Sequence, residues 1–383
     1  MQKYAIFGAG ADGKRAVNEI GKDNVICFID NDQSKQNTLV ENIIVLSLDE
    51  FINKFRDATI IIATKAFPMI IPQLEIEKLN YIVWTPLYNW FGTKDVLVQN
   101  PYIHRKMQFT DEEAIPKRDE SAIDFMAACT EVLANQKPLF NHIEIETYNR
   151  CNGGCEFCPV NVKNDTRVEK LMPKSLFFKI IDELSKIDYH GCLSLFSNNE
   201  PFLDKRMIEF CKYVRQSVPH AKTHLYTNGT LLTLDMFIEV IEYLDELIID
   251  NYNTELVLIP NNLAIKDYCE QHPELKEKVT IVLRNPKEVL EARGGEAPNK
   301  KKRELFLDVK CTHPFRQMII RPDGKVSICC NDALGFTDMG DVSKDSLVNI
   351  WWGEQFKEVR EKINAGGRGK VEFCRYCDSM ILV

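Results

Sequence analysis

The sequence predicts an α/β protein in which strands and helices alternate in two separate segments. Residues 3–84 form a first run of βα units, and a second run begins near His142 and continues to about residue 283. A third observation is that cysteines cluster at two places, one at the start of the second run and one in the C-terminal part of the chain. We therefore expect two α/β domains followed by a small extension that holds metal.

Length and composition indicate a globular protein that buries a large core. The chain has 383 residues, is 45% hydrophobic and carries a formal net charge of −8. An acidic balance disfavours a general nucleic-acid binder, and no stretch reaches the roughly 18 apolar residues of a membrane span. We expect no nucleic-acid partner, no membrane partner and a cytoplasmic location. In such a chain, 13 cysteines indicate metal ligands and buried thiols more than disulfides.

The loop after the first strand of the second run carries Cys151, Cys155 and Cys158. Iron–sulfur clusters normally use four thiolates. Three therefore indicate a four-iron cluster with one iron open to a small ligand. A zinc knuckle is the alternative, because cysteines at short spacing also bind zinc.

Polar residues follow the next strands of this run. The second strand leads into residues 198–201 (Asn-Asn-Glu-Pro), the third into residues 228–229 (Asn-Gly), and Asp250 and Asn251 close the fourth. In parallel βα folds, chemistry gathers at the carboxyl ends of the strands. We expect these residues at one edge, with Asp250 either binding a ribose or substrate hydroxyl or simply capping its strand.

Together these motifs resemble the radical SAM superfamily. The resemblance rests on the CxxxCxxC spacing with Phe157 before its third cysteine, and on Glu200-Pro201 of the family's GGEP motif, whose glycines are replaced here by Asn198 and Asn199. It implies a partial (βα) barrel and an open iron that binds S-adenosylmethionine (SAM). The aromatic residue would pack near the adenine, and the loop after the second strand would bind the methionine amino group. The implied cofactor-binding residues are Phe157, Asn199, Glu200, Asn228 and Asp250.

The second cysteine group consists of Cys311, Cys329, Cys374 and Cys377. A Pro-Asp-Gly hairpin at residues 322–324 would bring the first two together. The group resembles the SPASM or twitch extension of radical SAM enzymes, which implies one auxiliary [4Fe–4S] cluster and leaves Cys330 over. A structural zinc site with four cysteines is the alternative. The expected cofactors are thus two [4Fe–4S] clusters and SAM.

The N-terminal run contains a glycine-rich turn between its first strand and first helix. Gly8, Gly10 and Gly13 form a GxGxxG pattern, and Asp30 ends the next strand, as the dinucleotide fingerprint requires. The segment resembles small Rossmann-like domains attached to glycan-modifying enzymes. It either binds a nucleotide or nucleotide-sugar at the helix N-terminus or uses its glycines only for close packing.

These patterns divide the chain into four expected segments. They are a Rossmann-like nucleotide or nucleotide-sugar binding domain at 1–100, a linker with one helix at 101–140, the radical SAM partial barrel at 141–300, and a twitch/SPASM-like auxiliary cluster domain at 301–383. The prolines and dense charge of 101–140 indicate the linker. A sixth barrel strand has no obvious place in the sequence.

The resemblance implies a radical SAM enzyme that generates a 5′-deoxyadenosyl radical and abstracts hydrogen from a sugar, cyclitol or nucleotide-linked sugar. Four cysteines leave the auxiliary cluster without an open iron, so we expect it to accept an electron in an oxidation. Arg293 is the candidate catalytic base for the hydroxyl proton, with His224 and Tyr226 as weaker candidates. An electron donor such as flavodoxin or ferredoxin is implied.

Three other functions remain open at this point. Relatives include redox-neutral epimerases and dehydratases, and peptide-modifying enzymes. A different class is a non-catalytic, metal-stabilised scaffold that binds nucleotide-sugars.

Overall fold

The computed structural model describes residues 3–64, 66–83 and 96–380. Contacts divide the chain into two compact units, Met1–Tyr88 and Asn89–Val383, each with a hydrophobic core of its own. None of the helices in the described ranges combines the length and the apolar composition needed to cross a membrane.

The first unit is a six-stranded sheet with helices between its parallel strands. Its strands are β1 (Tyr4–Phe7), β2 (Val25–Ile29), β3 (Leu39–Val40), β4 (Ile43–Leu46), β5 (Thr59–Ile62) and β6 (Tyr81–Val83). Its helices are α1 (Ala11–Ile20), α2 (Leu48–Phe55) and α3 (Phe67–Ile76).

The strand order of this unit is β3-β4-β2-β1-β5-β6. All neighbours pair in parallel except β3, which forms an antiparallel hairpin with β4. Without β3, this is the order 3-2-1-4-5 of doubly wound folds. Nearly every residue of β1, β2 and β5 is buried, as expected for parallel strands covered on both faces.

The second unit contains an eight-stranded sheet in the order β14-β13-β8-β9-β10-β11-β12-β7. Its strands are β7 (Val98–Gln99), β8 (His142–Ile145), β9 (Cys192–Ser194), β10 (Lys222–Thr227), β11 (Glu246–Tyr252), β12 (Val279–Arg284), β13 (Gln317–Ile320) and β14 (Val326–Ser327). Its helices are α4 (Glu120–Gln136), α5 (Lys174–Lys186), α6 (Met207–Ser217), α7 (Leu234–Val240), α8 (Pro260–Gln271), α9 (Leu347–Trp351) and α10 (Glu354–Gly366).

Strands β8 to β12 are parallel. They match the five strands that the sequence predicts near residues 142–147, 192–197, 222–227, 246–250 and 279–283. Helices between them cover the sheet with apolar stripes. In α5, Phe177, Ile180, Ile181 and Leu184 recur at helical spacing and are fully buried. All five strands point the same way, so their carboxyl ends and the loops that follow meet at one edge.

The prediction that residues 101–140 form a linker is wrong. The preceding strand β7 pairs with β12 as an edge of the sheet, the backbone N–H of Asn285 donates to the Tyr102 hydroxyl at 2.9 Å, and the Trp351 indole donates to the Pro138 carbonyl at 3.0 Å. The segment is part of the second unit. Most of its charged residues lie on the outer surface. The sequence pattern therefore indicates a solvated linker, although other residues of the segment contact the second unit.

The expected boundaries at residues 100 and 300 also differ from the structure. The first unit ends at Tyr88. The missing sixth strand is β13, which pairs in parallel with β8, so one sheet continues across residue 300 into the cysteine-rich segment. The predicted hairpin is confirmed: β13 and β14 are antiparallel, and Gly324 adopts φ +88° in the turn between them.

Candidate active site

The carboxyl edge of β8 to β12 opens into a cavity of about 860 Å³. The cavity is lined by all three cysteines of the first motif and by Arg293. It is also lined by every residue of this unit that the resemblance implies in cofactor binding, namely Phe157, Asn199, Glu200, Asn228 and Asp250.

The three-cysteine loop has room for a bulky inorganic group. A side-chain carbon on Gly153 would lie 3.4 Å from Cys151 Sγ and 3.9 Å from Cys155 Sγ, so glycine keeps the space between the two sulfurs open. The Gly153 N–H donates to Cys151 Sγ at 3.3 Å. Burial raises the pKa of Cys151 to about 12, so a bound metal would have to displace the thiol proton.

Sulfur spacing separates a zinc site from a larger cluster. Tetrahedral zinc with Zn–S bonds near 2.3 Å requires sulfurs about 3.8 Å apart. Among the described residues, which include both cysteine groups, no three cysteine sulfurs lie within 4.8 Å of one another. In both groups the sulfurs are thus spaced more widely than the ligands of a single tetrahedral zinc ion.

The pattern did not reveal Arg167, which anchors the cysteine loop. It is buried and forms ion pairs with Glu146 at 2.8 Å and Asp165 at 3.0 Å. It also donates to the backbone carbonyls of Asn149 and Asn198 at 3.0 Å each. One guanidinium therefore joins the loop after β8 to the loop after β9.

An aromatic pair and an ion pair form the side of the cavity near β11. Phe157 lies with its ring centroid 6.0 Å from that of Tyr252, a residue that sequence reasoning missed. Asp250 faces Arg284, with 3.5 Å between Oδ1 and Nε, and Tyr252 donates to its Oδ2 at 3.4 Å. Asp250 lies at the predicted place, and its binding of a ribose remains a proposal.

Asn199 offers free donors to a ligand. Its Oδ1 accepts from the backbone N–H of Ser197 at 3.0 Å, while its buried Nδ2 has no hydrogen-bond partner. An amide N–H can donate to a carboxylate, and binding of a methionine moiety by Asn199 remains a proposal.

Glu200 and Asn228 join two loops. The Glu200 carboxylate accepts from the Asn228 N–H at 2.8 Å and from the Thr227 hydroxyl at 2.7 Å. Asn228 in turn donates its side-chain amide to Asn152 at 2.8 Å, in the cysteine loop. Both residues line the cavity, and their hydrogen bonds fix the relative positions of the loops around it.

The second cysteine group lies together in a smaller cavity beside the first. Cys311, Cys329, Cys374 and Cys377 line it, and the Asn331 amide donates to Cys377 Sγ at 3.8 Å. Cys330 lines the large cavity instead. The four cysteines that the sequence assigns to the auxiliary cluster thus lie at one cavity and Cys330 at the other, and their ligation of a cluster remains a prediction.

The surroundings of Arg293 favour its protonated form over the role of base that the sequence suggested. Its guanidinium donates to the Cys330 carbonyl at 2.9 Å and to Asn198 Oδ1. Burial disfavours the charged form of Arg293. The negative charges of Cys330, Cys158 and Glu291 outweigh this effect, so the pKa of Arg293 lies above its usual value. A guanidinium that stays protonated donates hydrogen bonds and does not accept a proton.

Glu144 lies in a buried polar group at the cavity and is better suited than Arg293 to accept a proton. Glu144 accepts from the Ser197 hydroxyl at 2.6 Å, and its other oxygen lies 3.7 Å from His142 Nε2. Burial raises the pKa of Glu144 to about 7. His224, bonded to Ser194 at 3.2 Å, has its pKa lowered to about 4 by burial and is neutral.

Tyr226, the other weak candidate, lines the cavity. Burial raises its pKa well above the usual value, so the phenol is protonated and suits a donor role. Glu144 carries no sequence motif, and its position inside the barrel became evident only in the fold.

The glycine turn of the first unit is largely explained by packing. A side-chain carbon on Gly13 would lie 1.8 Å from the Gly8 carbonyl oxygen, and Gly8 itself has φ +111°. The Asp30 carboxylate accepts from the Ala9 N–H at 2.9 Å and from Lys35 at 3.1 Å. Gly10 has no atom within 4 Å of the added carbon, so it alone faces open space where a ligand would approach. Ligand binding here remains a proposal.

Family models match three parts of the chain. The model described as "Radical SAM superfamily" matches residues 145–291, and "SPASM: Iron-sulfur cluster-binding domain" matches residues 311–378. A third, "C2185-like, N-terminal", matches residues 1–81.

A curated relative is the S-adenosyl-L-methionine-dependent 2-deoxy-scyllo-inosamine dehydrogenase of Niallia circulans. It is 27% identical over 247 residues, which is 63% of this chain and 94% of the relative. The crystal structure of BtrN in complex with AdoMet and 2-DOIA is 25% identical, with a TM-score of 0.54, and covers 63% of this chain and 94% of that one. BtrN in an open conformation is 22% identical with a TM-score of 0.48 and the same coverage.

The matched ranges contain both cysteine groups, and the model that covers the second group is that of an iron–sulfur cluster-binding domain and not of a zinc site. A non-catalytic scaffold would need neither an open-iron motif nor the cavity around it. Residues 145–291 therefore form a radical SAM domain and residues 311–378 a SPASM domain, and the protein is a radical SAM enzyme whose cofactors are SAM and two iron–sulfur clusters.

Proposed function

We propose that the protein oxidises a hydroxyl group of a small cyclitol or amino sugar to a ketone. One observation carries this proposal: His313, Asn331 and Ser379 line both the large cavity and the smaller cavity of the auxiliary cysteines. A substrate in the large cavity thus lies against the residues that enclose the electron acceptor. The match to a dehydrogenase over 94% of that relative supports the same reaction.

The cofactors supply the chemistry that side chains cannot perform. When bound, SAM and its cluster provide the 5′-deoxyadenosyl radical that removes hydrogen from an unactivated C–H bond, and the auxiliary cluster takes up the remaining electron. The protein must then orient the substrate and remove the hydroxyl proton.

Glu144 and Arg293 divide this task. Glu144 takes the hydroxyl proton, because its pKa of about 7 makes it an effective acceptor near neutral pH. Arg293 is also a catalytic residue in this proposal, but as a hydrogen-bond donor to the substrate oxygen and not as the base. Its cation holds the oxygen and stabilises negative charge that develops there.

The charges around the cavity favour an uncharged or amine-bearing substrate. Three of the four Arg and Lys side chains that line the cavity have acidic partners, which would weaken their attraction for phosphate, while the fourth, Arg293, donates to Asn198 and to the Cys330 carbonyl. The pairs are Arg284 with Asp250 at 3.5 Å, Lys300 with Asp378 at 2.6 Å, and Arg105 with Glu288 at 3.1 Å. Among the substrates that the sequence suggested, a nucleotide-linked sugar is therefore the least suitable for this cavity.

A one-electron donor of the flavodoxin or ferredoxin type is the proposed protein partner. Each turnover begins with reduction of the SAM-binding cluster, and no group in the described residues supplies electrons on its own. The donor can be replaced by dithionite in the test below.

The test is turnover of anaerobically reconstituted enzyme with 2-deoxy-scyllo-inosamine, and with a panel of inositols, amino sugars and nucleotide-sugars, each deuterated at the reacting carbon. We expect deuterium in 5′-deoxyadenosine and one SAM consumed per ketone. The variant Cys374→Ala/Cys377→Ala should still cleave SAM but form no ketone. Label transfer without any oxidised product would overturn the proposal.

A redox-neutral epimerisation is the second candidate, and one observation favours it. The Cys330 thiol lines the cavity and is not needed for the auxiliary cluster. Such a thiol can return a hydrogen atom to the opposite face of a substrate carbon radical, provided that the electron donor and a proton then restore the thiol. Turnover in deuterium oxide distinguishes the two. Solvent deuterium on carbon, lost in Cys330→Ala, indicates epimerisation.

A further inference from the structure

Arg368 is a buried cation without an acidic partner. Only 2% of the residue is exposed, and no carboxylate in the described part of the chain lies within 4.0 Å of its guanidinium. Its Nη1 donates to the Cys377 carbonyl at 3.3 Å, and its Nε has no hydrogen-bond partner. This arrangement is unusual, because a charge buried without compensation costs several kcal/mol.

The chain is built to place Arg368 inside. Gly367 ends α10 with φ +74°, and a side-chain carbon there would lie 2.5 Å from the Asp308 backbone. The Arg368 N–H then donates to the Val309 carbonyl at 3.0 Å, and the Gly369 N–H to the Leu307 carbonyl at 2.7 Å. Glycine and these two hydrogen bonds fix the backbone in the conformation in which the Arg368 side chain is buried.

The surroundings of Arg368 identify its missing counter-charge. It lines the small cavity together with Cys311, Cys329, Cys374 and Cys377. Four thiolates around a [4Fe–4S] core carry a net charge of about −2, and about −3 after reduction. The anion that compensates Arg368 is thus the cluster that these cysteines hold.

We propose that Arg368 is the counter-ion of the auxiliary cluster and raises its reduction potential. Reduction adds negative charge beside a fixed positive charge in a medium of low dielectric constant, so the cation stabilises the reduced form more than the oxidised form. Arg368 thereby equips the cluster to accept the electron left after hydrogen abstraction. It is a positioning residue, because it acts through the cluster and touches no substrate.

Other charges near Arg368 do not replace it. His313 also lines the small cavity, but burial lowers its pKa to about 3, so it is neutral. Glu291 faces Arg368 from farther away, and burial raises its pKa, which weakens it as a counter-ion. The inference depends on the auxiliary cluster and not on the identity of the substrate or product.

The test measures the midpoint potential of the auxiliary cluster in the full chain. Cys151→Ala, Cys155→Ala and Cys158→Ala remove the other cluster, so that a redox titration followed by electron paramagnetic resonance reports one centre. Arg368→Gln should shift the midpoint to a more negative potential. Arg368→Lys keeps the positive charge and should therefore keep the midpoint near that of the protein with Arg368. An unchanged midpoint in Arg368→Gln at full iron loading would refute the proposal.

Arg375→Gln is the matched control. Arg375 directly follows Cys374 but is solvent-accessible and pairs with Glu304 at 2.9 Å. Its charge is screened by water and salt, so its loss should leave the potential unchanged. An equal shift in Arg375→Gln would show that overall charge, and not the buried cation, sets the potential.

Thermal stability gives a second measurement that does not require a loaded cluster. When a chelator strips the iron, Arg368 loses its counter-ion, so Arg368→Gln should raise the melting temperature of the stripped protein. In the cluster-loaded protein the same substitution should lower it. A stripped Arg368→Gln protein that melts below the stripped unmodified protein would contradict the counter-ion role, and this comparison holds even if Arg368→Gln binds iron poorly.

Discussion

Lys300 and Asp378 form a buried ion pair at the wall of the active-site cavity. Their Nζ and Oδ2 atoms are 2.6 Å apart, and the two side chains are 3% and 2% exposed. Lys300 also donates to the carbonyls of Ala114 and Leu290 at 2.8 and 2.9 Å, and Asp378 accepts from the Ala292 N–H at 2.7 Å. The pair connects three distant parts of the second unit.

Breaking this pair should destabilise the enzyme strongly. Lys300→Met leaves Asp378 buried and unpaired, which costs about 3–5 kcal/mol. We expect a clear drop in the melting temperature of the reconstituted protein, partly recovered in Lys300→Met/Asp378→Asn. Lys301→Met is the control, since the Lys301 side chain is 72% exposed. A double variant no better than the single would contradict this account.

Iron content should distinguish two clusters from one. Reconstituted protein should contain about eight iron and eight sulfide per chain, as for two four-iron clusters. Cys151→Ala/Cys155→Ala/Cys158→Ala should halve both values and abolish SAM cleavage, because it removes the open-iron site. Iron near four per chain together with stoichiometric zinc in the unmodified protein would exclude the auxiliary cluster.

Product formation should depend on the ionisation of Glu144. Its pKa is raised to about 7, so the carboxylate that accepts a proton forms as pH rises, and the rate should increase from about pH 6 to pH 8. The titratable and charged groups that face it are Glu146, Arg293, His142, Cys192 and Cys330. Glu144→Gln should lose this inflection and slow ketone formation by roughly 10²-fold or more.

Ser197→Ala provides the matched control for this pH dependence. The Ser197 hydroxyl stabilises the Glu144 carboxylate by a 2.6 Å hydrogen bond and so lowers its pKa. Without that bond the inflection should move to higher pH while activity persists above it. An inflection that stays in place in both variants would assign the titration to another group.

The glycine turn of the first unit should separate packing from binding. Gly13→Ala places a carbon 1.8 Å from the Gly8 carbonyl oxygen, and such overpacking costs about 1–3 kcal/mol. Gly10→Ala meets open space and should leave the melting temperature unchanged.

Gly10→Val then tests for a ligand in the full-length protein. If the turn binds a phosphate group, calorimetry should detect a nucleotide or nucleotide-sugar with the unmodified chain and weaker binding with Gly10→Val. If calorimetry detects no binding heat with any nucleotide or nucleotide-sugar of the panel, the first unit has a structural role and no ligand-binding one.

Local patterns were sufficient for the strands and for both cysteine groups. Each strand from β8 to β12 contains apolar residues and is followed by polar ones, and the parallel arrangement places those polar residues at one edge. The pattern of strands and loops is therefore enough to place Cys151 and Glu200 in one site. The sequence also located the hairpin around Gly324, because glycine at a left-handed turn position is a local requirement.

Burial of charge could not be predicted in this way. Lys300 lies in a basic run that is typical of a solvated loop, yet its partner Asp378 is distant in sequence and closes over it. Glu144 looks like any strand residue, and burial inside the barrel is what raises its pKa to about 7. The role of Arg293 changed for the same reason, because its neighbours keep it protonated.

The sequence by itself thus determined the cofactors and the α/β plan, since cluster ligation and strand periodicity are written in short motifs. Tertiary structure alone decided that residues 101–140 belong to the second unit, that β13 completes the sheet beside β8, and that Arg368 lies among the auxiliary cysteines. These features depend on contacts between residues far apart in the chain. The electrostatic environment of a side chain is the sum of such contacts, and no local pattern encodes it.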